Sequence, residues 1–440
     1  MSNDNNYDVI IVGGRPAGAT LAARLGQRGW RVLLLERNTL PSLPGASCPI
    51  IYASTMSLLD EIGADERDYA ANTPQLRRMV NDSEGIKGEV WIPSAGGRDY
   101  GYAIDRARFD KALWDNALRF PTVTGRDGYS VVDLLWDADR VIGVVGKAAG
   151  GKAETITADL VVGADGRFST VARKAKAAER DEHDEHPTSL LYAYWRGVTP
   201  YDDKGAAAVA GGVPGQGYGY LVMDSADETT LIAVEGQAQL LEPPPGQAEA
   251  FYLGLVNAYP PIRARIHDAE RVTTVRGMRK IGNLYRQPGG AGWALVGDAY
   301  HQKDPLDGQG IFDAVFTAKV LAEAIDAWKC GEATWDDALA WYDRVARAET
   351  HPVYMSTLRR VQDNFYRSAP PWFNKLAVRT WGRWLMEDRL VQEQLGQILT
   401  RQLKPNEALS TPIMLGAMLR GPLRDLSDFL DKEAKRYERI

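Results

Sequence analysis

The chain has 440 residues and a formal net charge of −6, with 45% hydrophobic and 25% charged residues. That length allows two or three domains with a core of useful size, and the acidic balance argues against a general nucleic-acid binder. Two cysteines, Cys48 and Cys330, and five scattered histidines exclude a disulfide framework and a Cys/His metal cluster.

Residues 1–6 carry no basic region and no apolar stretch, so no signal peptide is expected. No run reaches the ~20 apolar residues of a membrane span, and a soluble cytoplasmic protein is the expectation. Residues 7–12 and 30–36 are continuous apolar runs, the mark of strands in a buried parallel sheet. The Ala- and Leu-rich residues 16–28 between them predict a helix, giving a βαβ opening. A second helix is predicted near 54–62, stopped at Gly63. Residues 75–102 look β-rich and irregular, and 106–118 helical. Tyr129–Trp136, Val141–Gly146 and Thr155–Val162 read as a three-stranded meander. The run Gly146 to Ala153 nearly matches a phosphate loop, but it lacks the Ser/Thr and leads into a strand, so a hairpin turn is expected. The polar run from Glu179 to Pro187, with His183 and His186 three apart, is expected to be a solvated loop, because a metal needs more ligands. Residues 188–236 alternate apolar and polar in short runs with Gly-rich turns, which predicts an antiparallel sheet. Glu242-Pro243-Pro244-Pro245-Gly246 is a turn or linker, followed by a helix near 247–258 and strands near 271–280 and 293–297. Beyond residue 308 the pattern is mainly helical.

Three motifs sit at strand ends. The first, Val12-Gly13-Gly14-Arg15-Pro16-Ala17-Gly18, joins the first strand to the first helix, the context a dinucleotide fingerprint needs. Glycines there allow a tight turn, and backbone N–H groups at the helix start can meet a pyrophosphate. Arg15 replaces the middle glycine. Glu36 ends the second strand 18 residues after Gly18, near where a ribose-binding carboxylate is expected, with Arg37 beside it. The second motif is Gly163-Ala164-Asp165-Gly166-Arg167. The third is Gly297-Asp298-Ala299-Tyr300-His301, followed by Pro305-Leu306-Asp307-Gly308-Gln309-Gly310 and a helix. A lone Gly-Asp is usually a turn; two at strand ends after a fingerprint are a different matter.

Taken together, the three motifs resemble the class A flavoprotein monooxygenase superfamily, with the para-hydroxybenzoate hydroxylase-like fold shared by flavin-dependent halogenases and geranylgeranyl reductases. The resemblance covers residues 7–330. It implies an α/β architecture: a Rossmann-like FAD-binding domain with an inserted antiparallel-sheet substrate domain and a helical C-terminal region. The expected divisions are 1–74, 103–181 and 275–330 for FAD, 75–102 and 182–274 for substrate, and 331–440 for the helices. It further implies that Gly13, Gly14, Arg15, Pro16, Ala17 and Gly18 hold the FAD pyrophosphate, with Arg106 nearby, and that Glu36 binds the adenosine ribose. Asp165 would organise the FAD and Asp298 would bind a ribityl hydroxyl. The loop Pro305, Gly308, Gln309 and Gly310 would face the flavin's pyrimidine edge, where N–H groups at a helix start favour the anionic reduced form. The tryptophan motif of the halogenases is absent; Val90-Trp91-Ile92-Pro93 echoes it in the wrong place.

In this superfamily NADH or NADPH acts as a transient donor, and a flavin C4a-hydroperoxide made from O₂ oxygenates a small organic substrate inside a dry pocket. No second fingerprint exists for the donor. Candidate substrate-facing residues are Tyr192, Tyr194 and Arg196, which share one strand face by the period of two; His301 is a further candidate beside the flavin. The alternatives are a reductase of isoprenoid double bonds, a halogenase, and a non-enzymatic binder of prenylated proteins. Near the C-terminus, Trp372, Phe373, Leu376, Ala377, Trp381 and Trp384 fall on one helical face with Lys375, Arg379 and Arg383 interleaved. Such a face is expected to pack against the protein, with peripheral membrane contact as the lesser alternative.

Overall fold

The computed structural model describes residues 6–45, 48–83, 86–213, 215–367 and 375–437. Strands Asn6–Val12, Val32–Leu35, Val123–Arg126, Glu154–Gly163 and Trp293–Leu295 pair in parallel. Their apolar runs are continuous because both sheet faces are covered; Val9, Ile10, Ile11, Leu33, Leu34, Val161 and Val162 are buried. The spatial order runs from Trp293–Leu295 through Glu154–Gly163, Asn6–Val12 and Val32–Leu35 to Val123–Arg126. Val32–Leu35 and Val123–Arg126 thus lie on one side of Asn6–Val12, and Glu154–Gly163 flanks it on the other. This reversal creates a crevice at the carboxyl ends of Asn6–Val12 and Glu154–Gly163, where open α/β sheets bind ligands. Strands Tyr129–Asp137 and Arg140–Ala148 add the expected meander antiparallel to the edge of Glu154–Gly163, and residues 149–153 form its hairpin turn.

A second, mainly antiparallel sheet contains Arg78–Ser83, Ile86–Trp91, Glu179–Arg196, Ala208–Gly212, Tyr218–Asp224, Thr229–Gln237 and Arg276–Arg286. One face packs Leu191, Ala193, Trp195, Ile232 and Val234 against the helix Ala248–Ala258. The alternate residues Leu190, Tyr192, Leu231, Ala233 and Met223 face the first unit, around Ile50, Tyr52 and Ala103. Helices Gly310–Lys329 and Trp335–Val361 follow, then Lys375–Met386, Arg389–Leu399 and Thr411–Tyr437. Lys375–Met386 and Arg389–Leu399 lie against the strand Ile86–Trp91 and its exit, and Thr411–Tyr437 packs on those two helices: Met386 meets Gly88, Gly396 meets Pro93, and Trp384 meets Gly421. Trp384 Nε1 also donates to Asp425 at 2.9 Å, while Trp381 is partly exposed. Trp372 and Phe373, and the side chains of Lys375, Leu376, Ala377 and Arg379, lie outside the described residues. Among the described residues no helix is long and apolar enough to cross a membrane.

Two expectations need correction. The run Glu179 to Pro187 is not a loop; it is the first half of the strand Glu179–Arg196, which pairs irregularly with Arg276–Arg286. Its polar side chains are solvated while its backbone pairs, so composition misleads there. Arg276–Arg286 and His301–Gln302, expected within the FAD unit, hydrogen-bond into the second sheet.

Candidate cofactor and substrate site

The crevice is a cavity of about 470 Å³, within the range of small-molecule sites. All three motifs line it, through Gly13, Arg15, Pro16 and Ala17, then Ala164, Asp165 and Arg167, then Asp298, Pro305 and Gly310. Backbone contacts lock the first two together: Ala164 N donates to Val12 O at 2.7 Å, and Gly13 N to Leu35 O at 2.7 Å. Gly13 has φ +108°, and a Cβ on Gly18 would stand 1.8 Å from Gly13 O, so the turn tolerates only glycine at both positions. Pro16 opens the helix Pro16–Gln27, where its missing N–H costs nothing.

Glu36 is 3% exposed. Its Oε2 accepts from Gly14 N at 3.0 Å and its Oε1 from Asn38 N at 3.0 Å, which leaves a lone pair on each oxygen for a further donor. Arg37 stands exposed at the rim. Arg15 Nη1 donates to Asp110 Oδ2 at 2.6 Å, and Arg106 Nη2 reaches the same carboxyl at 3.0 Å. Asp110, absent from the sequence-derived set, therefore holds two guanidinium groups at the cavity wall. Asp165 accepts from Ser169 Oγ at 2.5 Å and Thr170 N at 2.6 Å, capping the short helix Thr170–Lys174. Burial raises its pKa. Asp298 has a half-exposed carboxyl 3.4 Å from Arg167 Nε.

Gly308 adopts φ +63° and turns the chain into the helix Gly310–Lys329. A Cβ on Gly310 would meet no atom within 4 Å, so the first turn of that helix opens directly onto the cavity. Gln309 points away: its Nε2 donates to Leu399 O at 3.0 Å and its Oε1 accepts from Arg401 Nε at 3.0 Å. Gly14, Gly18, Gly308 and Gln309 thus shape the turns, whereas Gly13 and Gly310 face the space.

His301 lines the cavity and stacks on Tyr285 at 4.0 Å between ring centroids. Burial drives its pKa down to about 3, so it is a neutral imidazole at physiological pH. Tyr192 and Tyr194 meet at 6.3 Å and line a small annexe with Arg106, Thr273 and Arg276. Burial pushes both phenols up. Arg196 is exposed at the end of the same strand and does not line the cavity or its annexe. The main cavity meets the second sheet at Leu190, Met278 and Ile281.

The sequence pattern missed a buried ionic group at the cavity wall. Lys303 Nζ lies 2.7 Å from Asp313 Oδ2, and Arg401 Nη2 donates to Asp313 Oδ1 at 2.7 Å. It also missed Glu235, raised well above the ordinary carboxyl range by burial and by its neighbour Asp304. Charged residues between Asp298 and Pro305, in a stretch that must be buried, were the available signal for Lys303 and Asp304.

A family described as FAD binding domain matches residues 6–357. The chain belongs to this FAD-binding family. The FAD-binding protein is 24% identical over 381 residues to a digeranylgeranylglycerophospholipid reductase of Methanosphaerula palustris, covering 84% of this chain and 89% of the relative. Among solved structures, a flavin-dependent brominase superposes with a TM-score of 0.76 at 19% identity, over 96% of this chain and 99% of that one. A probable FAD-dependent monooxygenase from Pseudomonas aeruginosa gives 0.61 at 20% identity, over 81% and 95%. At these identities the structures share the fold. The cavity suits FAD on its own chemistry: open lone pairs on Glu36, helix starts at Pro16 and Gly310, and a buried Lys303 Nζ that has, among the described residues, no well-directed hydrogen bond beside its ion pair with Asp313. The FAD-binding protein is therefore an FAD-dependent enzyme of this superfamily.

Proposed function

We propose that this protein is a NADH- or NADPH-dependent and O₂-dependent monooxygenase of the cytoplasm that hydroxylates an aromatic or lipophilic small molecule. The observation that carries this reading is the apolar roof of Leu190, Met278 and Ile281 over the cavity, with the buried Tyr192–Tyr194 pair beside it. A roof of this kind excludes water from the reacting centre. The chemistry supplied by bound FAD is the passage of two electrons from the nucleotide to O₂, with one oxygen atom entering the substrate and the other leaving as water.

In this reading the Gly13–Gly18 turn and the N–H groups of the first helix hold the pyrophosphate, near Arg15 and Arg106. Glu36 accepts from the adenosine ribose, Asp298 from a ribityl hydroxyl, and Asp165 keeps its loop in place by capping the helix behind it. The Tyr192 and Tyr194 phenols stay protonated and donate to a substrate oxygen. A single dinucleotide fingerprint means that the nicotinamide donor binds and leaves in each cycle. The test supplies chemically reduced enzyme with a candidate aromatic ligand, with and without ¹⁸O₂, and weighs the products. A gain of one labelled oxygen supports the hydroxylase. A gain of two hydrogens without O₂ replaces it with a reductase, and bromide or chloride incorporation with a halogenase.

A further inference from the structure

Lys303 is 4% exposed and lines the FAD cavity. An ammonium carries three N–H donors. Here its one ionic contact is Asp313 Oδ2 at 2.7 Å, and no well-directed hydrogen bond satisfies Nζ among the described residues. A buried cation with unmet donors is costly unless an acceptor arrives. Nor does Asp313 belong to Lys303 alone: its other oxygen accepts from Arg401, whose far side meets Glu349 at 3.5 Å. The nearest imidazole, His301, is neutral and 3.9 Å from Asp313. Asp307 is held by Arg360 and Thr357 and Asp304 by Thr188, so those carboxylates have partners of their own.

The position of Lys303 is fixed from both sides. Arg167 donates to its backbone carbonyl, and Asp304 N donates to Asn283 Oδ1 at 2.7 Å. The same stretch of wall holds Pro305, Gly310, Ile311 and Ala314, the start of the 20-residue helix Gly310–Lys329. Unmet ammonium donors and the positive end of a helix therefore converge on one region of the cavity. Together they favour a ligand that gains negative charge there.

We propose that Lys303 is the counter-charge for reduced FAD, so that this chain binds the reduced cofactor more tightly than the oxidised one. The proposal rests on the FAD reading of the cavity. The electron balance is simple: a hydride from the nicotinamide nucleotide adds to the flavin, giving a reduced flavin with one negative charge and an oxidised nucleotide. Burial pulls the Lys303 ammonium below its ordinary range and Asp313 at 2.7 Å pulls it back up; in this proposal it keeps its proton and acts only through its charge and its hydrogen bond.

The experiment measures the midpoint potential of bound FAD in wild type, Lys303→Met, Lys303→Gln and Lys303→Arg, together with the affinity of each oxidised protein for sulfite, which makes an anionic flavin adduct. In wild type the bound potential lies above that of free FAD. In Lys303→Met and Lys303→Gln the reduced-to-oxidised binding ratio falls at least tenfold, a drop of about 30 mV for a two-electron couple, and sulfite binds at least tenfold more weakly. Lys303→Arg stays near wild type, which a merely structural lysine would not require. A wild-type potential at or below that of free FAD overturns the proposal even where the variants fail to fold. So does a Lys303→Met protein that holds FAD with an unmoved potential. A wild type that takes up no FAD at all overturns the FAD reading itself, a separate and distinguishable failure.

Discussion

Replacing Glu36 with glutamine tests the nucleotide end of the site. The carboxylate holds two backbone donors at once, Gly14 N and Asn38 N, each at 3.0 Å. Glutamine keeps one acceptor and turns an NH₂ toward the other N–H, so one buried donor faces another donor. A hydrogen bond to a charged group contributes about 1.5–3 kcal/mol, and the apo-protein loses roughly that much stability. Bound FAD then loses the charged acceptor for its adenosine ribose, a similar quantity, which is about a ten- to hundred-fold rise in Kd. The assay is calorimetric titration of folded apo-protein with FAD and, separately, with FMN, which has no adenosine. FAD affinity should drop by that factor while FMN affinity stays. Equal losses for both flavins would mean general loosening, and unchanged FAD affinity would mean that Glu36 serves the turn alone.

Gly18→Ala should abolish FAD uptake or folding, because its Cβ would sit 1.8 Å from Gly13 O; a yellow, stable variant would show that the turn is looser than described. Asp298→Ala should lower the flavin-to-protein ratio after gel filtration about tenfold in affinity, from loss of a charge-assisted acceptor; normal occupancy would make Asp298 an ordinary turn residue. His301 binds a proton in the unfolded chain below its ordinary pKa of about 6.5 but in the folded protein only near pH 3. Between those values the unfolded state holds more protons, so stability rises with pH and is lost as the solution acidifies from about 6.5. In His301→Phe the urea midpoint should therefore depend less on pH across that window, and an identical slope would show that the imidazole titrates normally.

The parallel sheet was legible because its strands are buried on both faces and read as unbroken apolar runs such as Val9–Val12 and Leu33–Leu35. The helix Arg106–Leu118 was legible to its ends, with Asp105 accepting from Arg108 N as its cap. Arg276–Arg286 was misassigned because its sheet is chosen by distant pairing with Glu179–Arg196, not by its own polar first half. The alternation rule placed Tyr192, Tyr194 and Arg196 on one face correctly, yet it carries no information on how far along the strand the cavity reaches. Arg401 was beyond reach for another reason. It is 92 residues from Gln309, and only the packing of Arg389–Leu399 brings its guanidinium to Asp313, just after the Gly308–Gly310 turn. That long-range contact also explains why a cavity built from three local motifs owes part of its charge to the C-terminal helices.

The most direct test of one cavity taking one dinucleotide is to denature the purified protein and identify what it releases. One FAD per chain is the predicted result. FMN in its place, or a colourless protein that takes up no FAD when it is supplied, would contradict it.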